Sequence, residues 1–415
     1  MLIDYLKELC SKSKKAGQKF ALSSIDERNS ILSAISKNLI TNTDKILESN
    51  AIDLNNAKEN GLSNAMQDRL KLTNERIVAI SNAVKKLIDL PDPLDKVETF
   101  MRPNGLLIKK VAVPLGNIGI IYEARPNVTV DAAVLCLKSG NCAILRGGKE
   151  AYNTNLALEE VLKQAIASKG FSPDLVSLIH DTSRESANLL MSLRGFVDVL
   201  IPRGSAALIN SVVENAKVPV IETGAGNCHV YVDKFADEDI ALKVALSAKI
   251  SRPSVCNAAE KLLVHKEIAN EFLPKIIKLY KENNVTVKGD STVRAICPDI
   301  ELAQEDDLKC EYNDYVISIY VKDSIEDAIN HINTYNTGHS EAIITKDVNA
   351  AEKFQDEVDA AAVYVNASTR FTDGEEYGFG AEIGISTQKL HARGPLGLFA
   401  LTTSKYKIIG NGQVR

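Results

Sequence analysis

The residues best suited to chemistry fall into a few short segments. Cys256 stands in SRPSVCNAAE, four residues after Arg252 and ahead of the helix-prone NAAEK. A thiol beside a guanidinium and near a helix N-terminus has its thiolate stabilised, which lowers its pKa from about 8.5 and makes it a nucleophile. The alternative is a buried structural thiol. Glu222 ends the apolar run VPVIE and precedes Thr-Gly-Ala-Gly. A carboxylate at the carboxyl end of a parallel strand sits where α/β ligand crevices open; a solvated strand end is the bland alternative. Asn127, in RPNVT after IGIIYEA, either aims an amide N–H at a developing oxyanion or caps the helix it precedes. Arg146-Gly147-Gly148-Lys149 offers two cations on a flexible turn, suited to phosphate groups. Gly204-Ser205 follows VDVLIPR and opens a helix whose N–H groups can hold a phosphate. No GxGxxG follows a strand and no GxxxxGK[ST] occurs, so the standard dinucleotide and Walker loops are absent.

These residues need a scaffold. The first ninety residues read as helices. Ser24 and Glu27 spell a capping box for a helix to about Leu39. Thr73 caps another, with Ile77, Ile80, Val84, Leu87 and Ile88 on one face, ended by Pro91 and Pro93. Pro103-Asn104-Gly105 between two strand-like runs predicts a hairpin, long enough to form an arm. From Val111 to Asp233 strand-like runs (119–122, 142–146, 175–179, 197–201, 219–222) alternate with helical stretches. A second alternation runs from about 240 to 365, and a final strand-like YKIIG closes the chain. Such alternation predicts βαβ units and buried parallel sheets.

The composition narrows the function. At 415 residues the chain is long enough for two or three domains. A net charge of −5 and a pI near 5.8 argue against nucleic acid or an anionic membrane as main partner. No run approaches the length of a membrane span, and the start lacks the apolar stretch of a secretory signal. The seven cysteines show no CxxC pair and no Cys/His ligand spacing. Neither a disulfide scaffold nor a metal site is expected, and a reducing cytoplasm fits best.

Four longer stretches carry a family likeness: VPLGNIGIIYEARPNVTVDAAVLCLKSGNCAILRGGKEA, PVIETGAGNCHVYVD, SRPSVCNAAEKLLVH and VNASTRFTDGEEYGFGAEIGISTQKLHARGPLGLFALTTSKYKIIGNGQVR. They resemble the aldehyde dehydrogenase superfamily and, within it, the gamma-glutamyl phosphate reductases. VKDSIEDAINHINTYNTGHSEAI looks like that family's own signature. The resemblance spans nearly the whole chain.

It implies an α/β, aldehyde-dehydrogenase-like fold. A Rossmann-like cofactor domain would take residues 1–96 and 114–223, and an α/β catalytic domain 224–385. A β-hairpin oligomerisation arm would take 97–113 and 400–415. It implies Cys256 as nucleophile, Asn127 as oxyanion donor with the Cys256 N–H, and Glu222 at the general-base position. Arg146 and Lys149 fall where the superfamily grips the adenosine ribose; NAD-using relatives tend to carry a glutamate at the place of Lys149, which points to NADPH. Gly204 and Ser205 match the turn that approaches the pyrophosphate. Glu311 matches a glutamate that holds the nicotinamide ribose, although CEYNDY departs from the usual pattern. Arg125, Arg252, Ser368, Thr369 and Arg370 are candidates for the anionic ends of the substrate.

The implied reaction is reduction of L-glutamyl 5-phosphate to L-glutamate 5-semialdehyde and phosphate, in proline biosynthesis. The implied assembly is a homodimer or homotetramer, with glutamate 5-kinase as a further partner to consider. Two alternatives stay open: a hydrolytic semialdehyde dehydrogenase of the same superfamily, and a non-catalytic scaffold with its fold.

Overall fold

The computed structural model describes residues 1–415, which divide into two compact units. The first comprises Met1–Glu222, Gly378–Gly384 and Leu396–Arg415; the second comprises Thr223–Tyr377 and Ile385–Pro395. Among the described residues no helix is long and apolar enough to cross a membrane.

The first unit starts with the helices Leu2–Phe20, Ile25–Thr41, Thr43–Glu59, Asn64–Leu70 and Asn74–Ile88. The capping box forms as read: the Glu27 N–H donates to Ser24 Oγ at 3.2 Å, and the Ser24 N–H donates to Glu27 Oε2 at 2.7 Å. Thr73 caps the fifth helix, which buries Ile77, Ile80, Val84 and Leu87. A parallel sheet follows, with strand order Val176–Leu178, Cys142–Arg146, Asn117–Tyr122, Val199–Arg203. Its strand Asn117–Tyr122 is buried throughout, as a strand covered on both faces must be. The helices Pro126–Lys138, Tyr152–Ser168 and Arg184–Ser192 alternate with these strands.

One expected strand of this sheet, 219–222, is reduced to a single parallel bridge between Val220 and Leu200. The Leu200 N–H donates to Pro219 O and the Ile221 N–H to Leu200 O, at 2.8 and 2.9 Å. Pro219 has no N–H to give, and the glycines that follow Thr223 favour a loop, so the ladder stops.

The expected hairpin pairs Val97–Met101 with Leu107–Pro114, turning through Gly105 at φ 85°. The last strand, Thr402–Ile409, adds antiparallel to Leu107–Pro114 and is longer than the sequence pattern implied.

The second unit is built on seven parallel strands. Their order is Glu301–Leu302, Thr286–Gly289, Val316–Lys322, Ala259–His265, Cys228–Val232, Ser340–Ile344, Ala362–Val365. The alternation read as running to Asp233 therefore crosses a boundary. Cys228–Val232 pairs with Ala259–His265 and Ser340–Ile344, well inside the second sheet. The helices Glu238–Ile250 and Lys266–Glu282 pack Ala241, Ala245, Phe272, Leu273 and Ile276 into one core with Val230, Leu262 and Ile319.

Candidate active site

In the first unit three candidate segments gather at one edge. The strands ending at Tyr122, Arg146 and Arg203 are neighbours and parallel. Arg125 and Asn127, Gly147 to Lys149, and Gly204-Ser205 therefore leave the sheet at its carboxyl edge, where α/β proteins bind ligands. Glu222 follows the Val220 bridge on the same edge and is half-buried.

Asn127 is not the helix cap. Pro126 already occupies the first turn of Pro126–Lys138, since its fixed φ and missing N–H suit that place. Asn127 thus lies inside the helix, and its Nδ2 donates to Asp131 Oδ2 at 2.9 Å.

Gly147 and Gly204 allow close approach rather than unusual backbone angles. A Cβ on Gly147 would strike Asn155 and Tyr122, and one on Gly204 would strike Glu123. Ser205 caps the helix Ala206–Asn215, and Glu123 covers the same helix start. The Glu123 carboxylate takes the Ser205 N–H at 2.7 Å and the Ser205 hydroxyl at 2.9 Å.

The two cations differ in availability. Arg146 is half-buried, and its Nη2 donates to Thr182 O and Ser183 O at 2.6 and 2.8 Å. Lys149 is exposed at the start of the turn Lys149–Ala151.

In the second unit Cys256 is partly exposed, in the loop between the helix Glu238–Ile250 and the strand Ala259–His265. The helix expected over NAAEK is absent. Ala259 pairs with Cys228, Glu260 falls at the register break that follows, and Lys261 is paired on both sides, so strand pairing overrides local helix preference. Cys256 is therefore not at a helix N-terminus, and its electropositive setting comes from side chains. The Arg370 guanidinium lies close enough to Cys256 to interact electrostatically with it, and Arg252 bears on the same guanidinium as a like charge. Burial and that repulsion both hold the Arg370 pKa below its ordinary value.

Arg370 is clasped by Asn257, the residue after the thiol. Its Nη1 donates to Asn257 Oδ1 and its Nε to Ser251 Oγ. Asn257 Nδ2 returns hydrogen bonds to Arg370 O and Thr372 O, at 3.2 and 3.0 Å. Thr369 Oγ1 donates to Asn257 O at 2.7 Å and is fully buried. Ser368 is also buried and caps the turn Thr369–Phe371. Of the Ser368–Arg370 trio, Arg370 thus carries the charge that interacts with Cys256, while the two hydroxyls hold the turn.

Gly226 packs directly on the Cys256 carbonyl; a Cβ there would overlap it. The Gly226 N–H donates to Glu311 Oε1 at 2.7 Å, so Glu311 braces this approach. Lys249 and Glu260 form a fully buried ion pair at 2.8 Å that ties together the two ends of the Cys256 loop.

Comparison with known proteins decides the family. Residues 4–310 and 311–381 match the aldehyde dehydrogenase family. The chain belongs to that family. It is 54% identical over 415 residues to a gamma-glutamyl phosphate reductase of Petrotoga mobilis, covering 100% of both chains. It is 56% identical over 405 residues to the one of Clostridium perfringens, covering 97% of this chain and 98% of that one. A crystal structure of the Thermotoga maritima gamma-glutamyl phosphate reductase superposes with a TM-score of 0.96 at 46% identity, covering 98% and 99% of the two chains.

For an aldehyde dehydrogenase, three residues of this arrangement had escaped the sequence reading: Glu123, Asp131 and Asn257. The signal was present for Asn257, which adjoins the thiol. For Asp131 it was the four-residue spacing from Asn127 on one helix; for Glu123 there was none, because Ser205 is brought to it only by folding.

Proposed function

We infer that this protein reduces L-glutamyl 5-phosphate to L-glutamate 5-semialdehyde and phosphate, with NADPH, through a thioester on Cys256. The observation that carries the reading is full-length similarity to gamma-glutamyl phosphate reductases in a chain whose partly exposed thiol lies within electrostatic reach of Arg370. The place in proline biosynthesis follows from the product.

The chain's residues take these parts. The Cys256 thiolate attacks the acyl carbon; the C–S bond forms, the bond to the phosphate oxygen breaks, and phosphate leaves with that electron pair. The Cys256 N–H and the Asn127 amide receive the oxyanion. Arg370, Arg252 and Arg125 bind the phosphate and carboxylate, for which planar guanidinium is suited. Ser368 and Thr369 fix the Arg370 turn. Glu222 assists removal of the thiol proton, since activating water would hydrolyse the thioester that the reaction must keep.

The family uses NAD or NADP, and the first unit suits such a group. Gly147 and Gly204 allow close backbone approach, Ser205 offers a helix start, and Lys149 is an exposed cation. When bound there, NADPH would supply hydride to the thioester carbonyl. Expulsion of the Cys256 thiolate then frees the semialdehyde, which cyclises to a pyrroline carboxylate. Glu311, holding the Gly226 N–H, steadies the loop against Cys256 and would hold the nicotinamide ribose.

The division of labour follows the two units: cofactor binding in the first, thiol chemistry in the second, and assembly through the arm. We place the enzyme in the cytoplasm as a homodimer or homotetramer, receiving its labile acyl phosphate from glutamate 5-kinase.

The deciding assay runs the reaction backwards with pyrroline carboxylate and NADP. The expected result is NADPH formation that requires phosphate. Turnover without phosphate would instead establish the hydrolytic dehydrogenase. No turnover, with Cys256 alkylation unprotected by cofactor, would leave a scaffold.

A further inference from the structure

Asn127 and Asp131 stand one helical turn apart on Pro126–Lys138, the spacing at which two side chains meet. The contact is directional: Asn127 Nδ2 donates to Asp131 Oδ2 at 2.9 Å. A primary amide has two faces of opposite use. Its nitrogen offers two N–H donors and its oxygen only lone pairs, whereas an ionised carboxylate only accepts. A carboxylate beside the amide therefore selects one of the two orientations. It takes one N–H, leaves the second N–H of the same nitrogen for another acceptor, and turns the amide oxygen away. Flipped by a half-turn, the same side chain would present oxygen to a developing oxyanion and repel it.

The surroundings make this acid hard to explain as helix decoration. Asp131 is half-buried on a helix whose neighbouring residues Val128, Val130, Ala132, Ala133, Val134 and Leu135 are buried. A charge in such a helix is costly unless it is paired. Burial pushes the Asp131 carboxyl up to about 6, opposed by the Asn127 hydrogen bond and by the Arg203 guanidinium. Those two neighbours keep it largely ionised at neutral pH. Arg203 is also the last residue of Val199–Arg203, immediately before the Gly204-Ser205 turn.

We propose that Asp131 is the positioning residue of the oxyanion site: its carboxylate fixes which face the Asn127 carboxamide presents to the reacting carbonyl. This rests on the reading of Asn127 as an oxyanion donor. Asp131 touches no reacting atom and acts through Asn127 alone.

The test is a double-mutant cycle on the full enzyme, with kcat, the KM for the cofactor and the melting temperature measured for each variant. Asp131→Asn keeps the shape and removes the orienting charge. It is expected to lower kcat roughly tenfold or more, as loss of positioning does, with cofactor KM unchanged. In an Asn127→Ala background the same substitution is expected to lower kcat no further, because nothing is left to orient. An undiminished kcat in Asp131→Asn, or an equal further loss in the Asn127→Ala background, would overturn the proposal while leaving Asn127 its role. If Asn127→Ala itself keeps wild-type kcat, the oxyanion reading fails and this proposal with it. Should Asp131→Asn melt below the assay temperature, Asp131→Ser carries the same comparison.

Discussion

Glu123 and Ser205 share the start of the helix Ala206–Asn215, with both the N–H and the hydroxyl of Ser205 bound to one carboxylate. This is the helix start assigned above to the cofactor's pyrophosphate. Hydrogen bonds to charged groups are the strong ones, and a phosphate oxygen seeking the same N–H must displace the carboxylate and approach a like charge. Glu123→Gln keeps the side chain's size and removes the charge. The expected result is a KM for NADPH lowered on the order of tenfold, with kcat little changed. A raised KM would show that Glu123 builds the cofactor site instead of competing for it.

Cys256→Ser is expected to fold as the parent does and to lose nearly all activity. A serine hydroxyl is not ionised at neutral pH, and an ester is a poorer hydride acceptor than a thioester. Near-parental turnover would exclude Cys256 as nucleophile. Gly226→Ala should also abolish turnover, because its Cβ would overlap the Cys256 carbonyl. Slowed alkylation of Cys256 in that variant would register the displaced loop.

How much of this could be read from the chain varies with the range of the interactions. The capping box at Ser24 and Glu27 is local, and it forms as read. The parallel sheets follow from the spacing of apolar runs, and they are present. NAAEK misled because its alanines are good helix formers in isolation, yet Ala259 pairs with Cys228 and Lys261 is claimed by strands on both sides. PVIE misled because its apolar run was given more weight than Pro219, whose missing N–H already argued against a full strand. Asn127 is instructive. As a cap it would have been a local matter, but Pro126 takes the first turn, and Asn127's partner lies four residues on. The clasp of Asn257 on Arg370 joins residues more than a hundred positions apart, and no spacing rule reaches that far.

The arm supports a prediction about assembly. On one face of its three-stranded sheet the register lines up Phe100, Ile108 and Ile408, with Tyr406 two residues before Ile408. Phe100, Tyr406 and Ile408 are 42%, 56% and 58% exposed. Apolar side chains on an open sheet invite pairing with another copy. Deleting residues 98–110, or changing Phe100 and Ile408 together to lysine, is expected to lower the native mass in light scattering while each chain stays folded. Unchanged mass in a folded deletion variant would rule the arm out as the contact.

The second unit is expected to be sensitive to acid. His331 is 7% exposed, with its ring against Tyr320, Tyr335 and His229. Burial pushes its imidazole down to about 3, and His229 is likewise held well below its ordinary value. Both are neutral in the fold and charge in the unfolded chain below about 6.5. The unfolded state then binds more protons, so stability is fully present above that pH and falls as the pH drops toward the folded values. By calorimetry, the two histidines should lower the melting temperature from pH 7 to pH 5, against the buried Glu341 carboxyl beside His229, which burial raises well above its ordinary value and which acts in the opposite direction. His331→Phe should reduce the difference; an unaltered difference would assign the acid sensitivity to other groups.

The proposed preference for NADPH rests on Lys149. A 2′-phosphate on the adenosine ribose brings close to two negative charges, and a nearby cation gains Coulomb energy that the bare ribose of NAD does not offer. Arg146 shares the turn, but its guanidinium is held by Thr182 O and Ser183 O. The exposed ammonium of Lys149 is the freer of the two to follow a ligand. Substituting Arg146 should therefore loosen the turn and lower stability as well as cofactor affinity. Lys149→Glu should act on the cofactor alone, because the side chain is exposed. It is expected to raise the KM for NADPH strongly and that for NADH little. It should also weaken the salt dependence of NADPH binding, since an attractive pair has been exchanged for a repulsive one. Equal losses with both cofactors, or a parent enzyme that uses the two equally well, would move the preference away from this turn.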